Sequence, residues 1–96
     1  MTKQHALELL SGSKPILQAR FGVSRLALFG STARDTATSS SDVDILVAFD
    51  GPATSQRYFG VQFYLEDLLN SAVDLVTEKA LRPELRPYIE KECLNV

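Results

Sequence analysis

The sequence contains a single cysteine and no tryptophan, and it has no long apolar segment. Cys93 has no partner for an internal disulfide, which suits a reducing compartment such as the cytoplasm. The longest uninterrupted apolar run, Ile45 to Phe49, is far shorter than the ~20 residues that span a bilayer. The first ten residues include Lys3 and Glu8 and lack the apolar centre of a signal peptide. The sequence therefore predicts a soluble, cytoplasmic protein without a membrane segment.

Excess charge of either sign is also lacking. Ten lysine and arginine residues stand against twelve acidic residues, which gives a net charge of −2. This balance argues against direct nucleic-acid binding through a basic surface and against an acidic disordered tail. The apolar share of 45% is normal for a globular domain. We expect residues 1–96 to form one domain with a small core and no room for a separate substrate domain.

Hydrophobic periodicity predicts alternating helices and strands, and therefore an α/β or α+β fold. One helix is predicted over Thr2–Leu10, followed by a break at Ser11–Gly12–Ser13. A second helix is predicted to begin near Pro15 and to end at Gly22. The other predicted elements are strands at Arg25–Phe29, Val43–Phe49 and Val73–Thr77, a helix at Gln56–Asn70, helical turns starting at Pro83 and Pro87, and a brief edge strand at Leu94–Val96.

Two acidic residues at the start of the second predicted strand form the first candidate site. Asp42 and Asp44 are two residues apart, so their side chains leave the same face of a strand. Val43 and Ile45 then face the core. Neighbouring carboxylates repel each other unless a cation lies between them, and oxygen ligands without histidine or cysteine suit Mg²⁺. The alternative is a solvated strand start, because a lone Asp-x-Asp pattern is common by chance.

Further candidate residues flank this acid pair. Asp74 interrupts an apolar strand, where it faces either solvent or a functional cleft. Gly30-Ser31 follows the first strand, where glycine permits close approach of a phosphate and Ser31 can cap a helical turn. The alternative is a plain strand-to-helix turn. Arg34, one turn further on, either meets a phosphate or pairs with Asp35, Asp42 or Asp44.

The combined pattern is much more specific than its parts. A Gly-Ser pair followed, after a ten-residue gap, by Asp-x-Asp arises by chance in roughly two per thousand chains of this kind. Together with Asp74, the elements Gly30-Ser31 and Asp42-x-Asp44 resemble the DNA polymerase β-type nucleotidyltransferase superfamily. The short length and Ala33-Arg34 after the Gly-Ser pair resemble its minimal nucleotidyltransferase (MNT) branch. The resemblance covers nearly the whole chain.

This resemblance implies a fold and a reaction. The fold would be a small mixed β-sheet backed by helices. The reaction would transfer a nucleoside monophosphate, with ATP as the expected donor, to a hydroxyl group and release pyrophosphate. By the resemblance, Asp42, Asp44 and Asp74 would bind two Mg²⁺ ions, and Asp74 would also help to deprotonate the hydroxyl. Gly30 and Ser31 would hold the β- and γ-phosphates. Two metal ions can activate the nucleophile and neutralise the leaving pyrophosphate.

The resemblance also implies a partner. Small MNT proteins are often the antitoxin half of a pair with a HEPN-domain ribonuclease toxin, and some adenylylate a tyrosine of that toxin. The alternative function is a non-catalytic module that neutralises a toxin by complex formation. Phe59 and Phe63 lie outside the predicted core stripe of their helix, and they either cover a second core edge or form a docking patch. Transfer to a small molecule is disfavoured, and homo-oligomerisation stays open.

Two segments depart from the family pattern. Asp35 stands where many relatives have glycine, and its charge near the phosphate site is expected to weaken NTP binding. Asn70-Ser71-Ala72 stands where relatives usually have a glycine and a basic residue, so one possible cation is missing. Neither change touches the three acids.

Overall fold

A four-stranded sheet in the order β3-β2-β1-β4 forms the centre of the computed structural model, which describes residues 1–96. The strands are β1 (Val23–Phe29), β2 (Val43–Phe49), β3 (Val73–Thr77) and β4 (Leu94–Asn95). Strand β1 is antiparallel to both β2 and β4, whereas β2 is parallel to β3. The predicted small mixed sheet is therefore confirmed.

The helices are α1 (Lys3–Phe21), α2 (Gly30–Ala33), α3 (Ser55–Leu69) and α4 (Arg86–Glu92), with a 3-10 turn at Glu78–Ala80. Strands β2 and β3 coincide with their predicted ranges, and β1 begins earlier, at Val23. Pro87 lies in the first turn of α4, as predicted, and Pro83 lies in the preceding turn. None of the helices has both the length and the apolar character needed to cross a membrane.

The predicted break at Ser11–Gly12–Ser13 is wrong, because α1 continues through it. One buried stripe runs along the whole helix and consists of Ala6, Leu10, Ser13 and Leu17. Ser13 is tolerated there because its hydroxyl donates a hydrogen bond of 2.9 Å to the carbonyl oxygen of Leu10. Pro15 lies on the exposed side of α1, where water can bond the carbonyl left without a donor. Gly22 ends the helix in a left-handed conformation, with φ 71°.

Other elements pack against both faces of the sheet. Because side chains alternate along each strand, successive residues lie on opposite faces. The main core lies between the sheet and helices α1 and α3, and it includes Val43, Ile45 and Val47 of β2. A smaller cluster on the opposite face consists of Ala27, Phe29, Leu46 and Leu81, with Ile89 of α4 packed against it. Asp44 alternates with the core residues of β2 and therefore lies on the face of the smaller cluster.

Candidate active site

The parallel register of β2 and β3 places Asp44 opposite Asp74. Asp44 is partly buried and Asp74 is exposed. Asp42 is also exposed and immediately precedes β2. The three acids singled out from the sequence therefore share one end of the sheet. In this structure, however, no three acidic, histidine or cysteine side chains converge closely enough to hold a metal ion.

The ionised form of Asp44 is disfavoured at this position. Burial and the adjacent Asp74 carboxyl raise the pKa of Asp44 to about 6, Asp42 adds a smaller repulsion, and Arg34 acts in the opposite direction. A divalent cation between Asp44 and Asp74 would relieve this repulsion. The available donors are carboxylate oxygens, which Mg²⁺ prefers. The electrostatics and the donor type therefore fit a Mg²⁺ site.

Gly30 is required at its position by the backbone and by its neighbour. Its φ is 72°, in the left-handed region that favours glycine. A Cβ added to Gly30 would lie 2.8 Å from Cγ of Asp44, which is closer than carbon atoms pack. The Asp44 carboxylate therefore packs in the space that the absence of a side chain at Gly30 leaves.

Ser31 lies inside the short helix α2 and does not cap it. The N-cap position is occupied by Phe29, and no side chain makes a capping hydrogen bond there. The predicted capping role of Ser31 is therefore wrong, although the predicted helical turn is confirmed. The carbonyl oxygen of Ser31 accepts a hydrogen bond of 2.9 Å from the N–H of Thr36, which closes the loop after α2.

Arg34 pairs with Glu92, a residue to which the sequence pattern gave no role. Nη1 of Arg34 donates to Oε2 of Glu92 at 2.9 Å. Oε1 of the same carboxylate accepts a 3.2 Å hydrogen bond from the N–H of Gly30. None of the three acids considered from the sequence is the partner of Arg34. Glu92 is the last residue of α4, far away in sequence, so local spacing carries no signal for this contact.

The Asp35 carboxylate is engaged away from this turn. Its Oδ1 accepts a 3.2 Å hydrogen bond from the N–H of Lys3, in the first turn of α1. The φ of Asp35 is 60°, which explains why glycine suits this position and why aspartate, one of the side chains that tolerates such a backbone, can replace it. The expected weakening of NTP binding by Asp35 stays a prediction.

Side chains of α3 bond the backbone of β3, the edge strand that carries the third acid. The hydroxyl of Tyr58 donates to the carbonyl oxygen of Leu75 at 2.5 Å. Nε2 of Gln62 donates to the carbonyl oxygen of Val73 at 3.4 Å. Oε2 of Glu66 accepts from the N–H of Val73 at 3.2 Å. We call these three side chains the α3 polar row. They supply hydrogen-bond partners to the edge of β3 that has no neighbouring strand.

The α3 polar row bonds β3 on both sides of Asp74 and thus fixes the strand that positions this acid. The sequence pattern of α3 did not predict this row. A signal was present, since Tyr58, Gln62 and Glu66 are spaced four residues apart and so share one side of a helix.

Phe59 and Phe63 lie on the outer side of α3. Phe59 is 49% exposed and Phe63 is 61% exposed. Their rings are stacked with centroids 6.2 Å apart. The interpretation that they cover a second core edge is therefore wrong, and they form an exposed aromatic pair.

A cavity of about 290 Å³ lies at the opposite end of the sheet and contains none of the candidate site residues. Its lining includes Arg25 and Lys79. Arg25 is already engaged, because its two terminal nitrogens each donate to a carboxylate oxygen of Glu90 at 2.9 Å. This contact lowers the pKa of Glu90 and ties α4 to β1. The clustered acids, rather than the cavity, mark the candidate active site.

Comparison with known proteins places the chain among nucleotidyltransferases. Residues 10–96 match the family model of the nucleotidyltransferase domain. The protein adenylyltransferase MntA of Thermococcus cleftensis is 34% identical over 96 residues, which cover 100% of this chain and 97% of that protein. A candidate protein adenylyltransferase of Methanocaldococcus jannaschii is 40% identical over 90 residues, which cover 93% and 92% of the two chains.

Solved structures agree with this placement. A candidate minimal nucleotidyltransferase has a TM-score of 0.80 at 35% identity, with 100% of this chain and 97% of that chain covered. A chain from the complex of a tri-AMPylated Shewanella oneidensis HEPN toxin with an MNT antitoxin has a TM-score of 0.59 at 20% identity, with 97% and 66% covered. The latter likeness concerns the fold alone. The sequence match and the shared fold together show that this chain belongs to the nucleotidyltransferase domain family.

Proposed function

We propose that this protein transfers AMP from ATP to a hydroxyl group of a partner protein in a Mg²⁺-dependent reaction. The observation that carries the proposal is the register of β2 and β3, which puts Asp44 opposite Asp74 beside the Gly30 turn. The raised pKa of Asp44 adds support, because functional sites often hold carboxylates in arrangements that a cation must relieve.

In this proposal Asp42, Asp44 and Asp74 hold two Mg²⁺ ions. The bound ions would neutralise the triphosphate and favour deprotonation of the acceptor. The backbone at Gly30 and Ser31, together with the Arg34 guanidinium, binds the β- and γ-phosphates. The acceptor oxygen forms a bond to the α-phosphorus of ATP. The bond between that phosphorus and the oxygen that bridges to the β-phosphate breaks. Pyrophosphate leaves, and the exposed Asp74 takes the proton of the hydroxyl.

The proposed partner and acceptor is a HEPN-domain toxin. Support comes from the Thermococcus cleftensis relative, which is named a protein adenylyltransferase, and from the solved complex that contains an AMPylated HEPN toxin. The exposed pair Phe59 and Phe63 supplies an apolar surface of the kind that partners cover. That same surface favours the second candidate function, neutralisation of a toxin by binding alone.

A label-transfer assay separates the two functions. The protein is incubated with a HEPN-domain toxin, Mg²⁺ and ATP labelled in the α-phosphate. We expect label on the toxin with the wild-type protein, and none with Asp42→Asn or Asp44→Asn. Asp67→Asn, which removes an exposed acid of α3, is the control and should leave transfer unchanged. Asp74→Asn should lower turnover more than nucleotide binding.

If both variants still neutralise the toxin and no label is transferred by any form of the protein, the transferase proposal is overturned and the binding function is supported.

A further inference from the structure

The Glu92 carboxylate occupies the hydrogen-bond donors that the proposed function assigns to nucleotide phosphate. One of its oxygens accepts from the N–H of Gly30 at 3.2 Å, and the other accepts from Nη1 of Arg34 at 2.9 Å. A backbone N–H together with a guanidinium is also a typical donor set for a phosphate group. Glu92 and a phosphate therefore compete for the same two donors.

The contact is one that an incoming phosphate can displace. The side chains of Arg34 and Glu92 are 53% and 31% exposed, so water screens their attraction and ion pairs of this kind are weak. A phosphate carries more charge than a carboxylate and makes stronger charge-assisted hydrogen bonds.

Release of Glu92 does not require α4 to leave the sheet. Glu90 anchors the helix through its two 2.9 Å hydrogen bonds with Arg25. Ile89 packs against the cluster on the same face of the sheet. Helix α4 is therefore held in place without the Glu92 contacts, and a rotation of the Glu92 side chain would free the donors of Gly30 and Arg34.

We propose that Glu92 sets the affinity for nucleotide by acting as an internal competitor for the phosphate donors of Gly30 and Arg34. This inference rests on the proposed function, since it assumes that a nucleotide phosphate enters this turn. A fixed Glu92 that merely holds Arg34 in place would have the opposite effect on affinity when it is replaced.

Calorimetric titration with Mg²⁺ and α,β-methylene-ATP, an analogue that cannot undergo transfer, tests the inference. Glu92→Gln keeps the shape of the side chain and removes its charge. We expect it to tighten binding by about threefold to tenfold, the range for losing one screened charged competitor. Glu92→Ala, which removes the competing oxygens as well, should tighten binding at least as much. Glu84→Gln is the matched control, because it removes one negative charge from an exposed residue outside the turn, and it should change the affinity less than twofold.

Thermal unfolding of the ligand-free variants distinguishes competition from a structural role. If Glu92 competes with phosphate, its replacement should tighten binding without any gain in Tm, because the Glu92 contacts stabilise only the ligand-free form. Unchanged or weaker binding by both Glu92 variants, with the wild-type protein binding normally, would overturn the inference and leave the proposed function intact. Failure of the wild-type protein and every variant to bind the analogue would overturn both.

Discussion

Asp44 and Asp74 lie opposite each other on neighbouring parallel strands, and Gly30 packs directly against the Asp44 carboxylate. The two acids come from separate parts of the chain, so their proximity depends on strand register. A slip of one residue would turn the alternating side chains of β3 to the opposite face and would bury Asp74 in place of Val73. The core pattern that stabilises the fold therefore also fixes the acid pair.

Gly30→Ala should both destabilise the protein and disturb the site. The new Cβ would meet the Asp44 carboxylate at a backbone conformation with φ 72°, so we expect a loss of roughly 1–3 kcal/mol in the free energy of unfolding. Transfer activity should fall because Asp44 must move. Urea unfolding and the label-transfer assay measure the two effects.

Gly12→Ala is the matched control for Gly30→Ala. A Cβ at Gly12 would meet no atom within 4 Å, and the residue lies inside α1. We expect this variant to gain about 0.5–1 kcal/mol, because alanine favours a helix over glycine. Equal stability of the two variants would contradict the strained role of Gly30.

Asp44→Asn should stabilise the protein in EDTA at neutral pH while abolishing transfer. The pKa of Asp44 is about 6 in the folded chain and 3.8 ordinarily, so the folded state holds this proton more firmly than the unfolded state. The stability that this bound proton contributes is fully present below the ordinary pKa of 3.8 and is lost as pH rises through about 6. Water screens the site, so we expect a gain of about 1 kcal/mol or less at pH 7.5, equivalent to at most about 4–8 °C in Tm.

The pH dependence of this gain provides its own control. The difference in Tm between Asp44→Asn and the wild-type protein should vanish near pH 4, where the carboxyl is largely protonated in the folded chain. Mg²⁺ should reduce the difference at pH 7.5, because a bound cation offsets the repulsion. A lower Tm for Asp44→Asn at pH 7.5 in EDTA would show that the charge of Asp44 is not the main effect of this residue on the stability of the folded protein.

Tyr58→Phe should weaken the attachment of β3 to α3. The substitution removes the hydrogen bond to the carbonyl of Leu75 and leaves that group without its side-chain partner, at a cost of about 1–2 kcal/mol. We also expect a lower kcat, because the strand that carries Asp74 becomes less firmly held. Tyr64→Phe removes a hydroxyl that makes no hydrogen bond to the chain, and its effect on stability should stay within about 0.5 kcal/mol. Equal losses in the two variants would argue against the α3 polar row.

Phe63→Ser should leave the isolated protein almost as stable as before, since most of the side chain is exposed. We expect a change within about 0.5 kcal/mol. Leu65→Ala, two residues away but fully buried, should cost about 2–5 kcal/mol. Binding of the proposed partner, a HEPN-domain toxin, should weaken in Phe63→Ser when measured by calorimetry. Unchanged toxin affinity would show that the aromatic pair lies outside the interface.

Local patterns predicted much of this structure. Strands β2 and β3 follow from short apolar runs bounded by polar turns, and Gly30 and Asp44 belong to one compact motif. The break predicted in α1 was wrong because the Ser-Gly-Ser segment and Pro15 were weighed by local propensity, whereas packing of the buried stripe keeps the helix intact.

Contacts between segments that are distant in sequence were not predicted. The pairing of Arg34 with Glu92 joins residues that are 58 positions apart, and no spacing rule connects them. The opposition of Asp44 and Asp74 needed the strand order and the register as well as the motif. The hydrogen bond that Glu66 accepts from the N–H of Val73 depended on where α3 lies against the sheet, which helical periodicity alone does not specify.

The α3 polar row also has a consequence for how other chains can engage this protein. Edge strands with unpaired backbone groups invite another strand to add to the sheet, which leads to aggregation or β-augmentation. Here Tyr58, Gln62 and Glu66 occupy backbone groups along β3, and the opposite edge strand, β4, is only two residues long. These contacts oppose strand addition at Val73 and Leu75, so we expect a partner at this edge to be recognised through side chains rather than through backbone pairing.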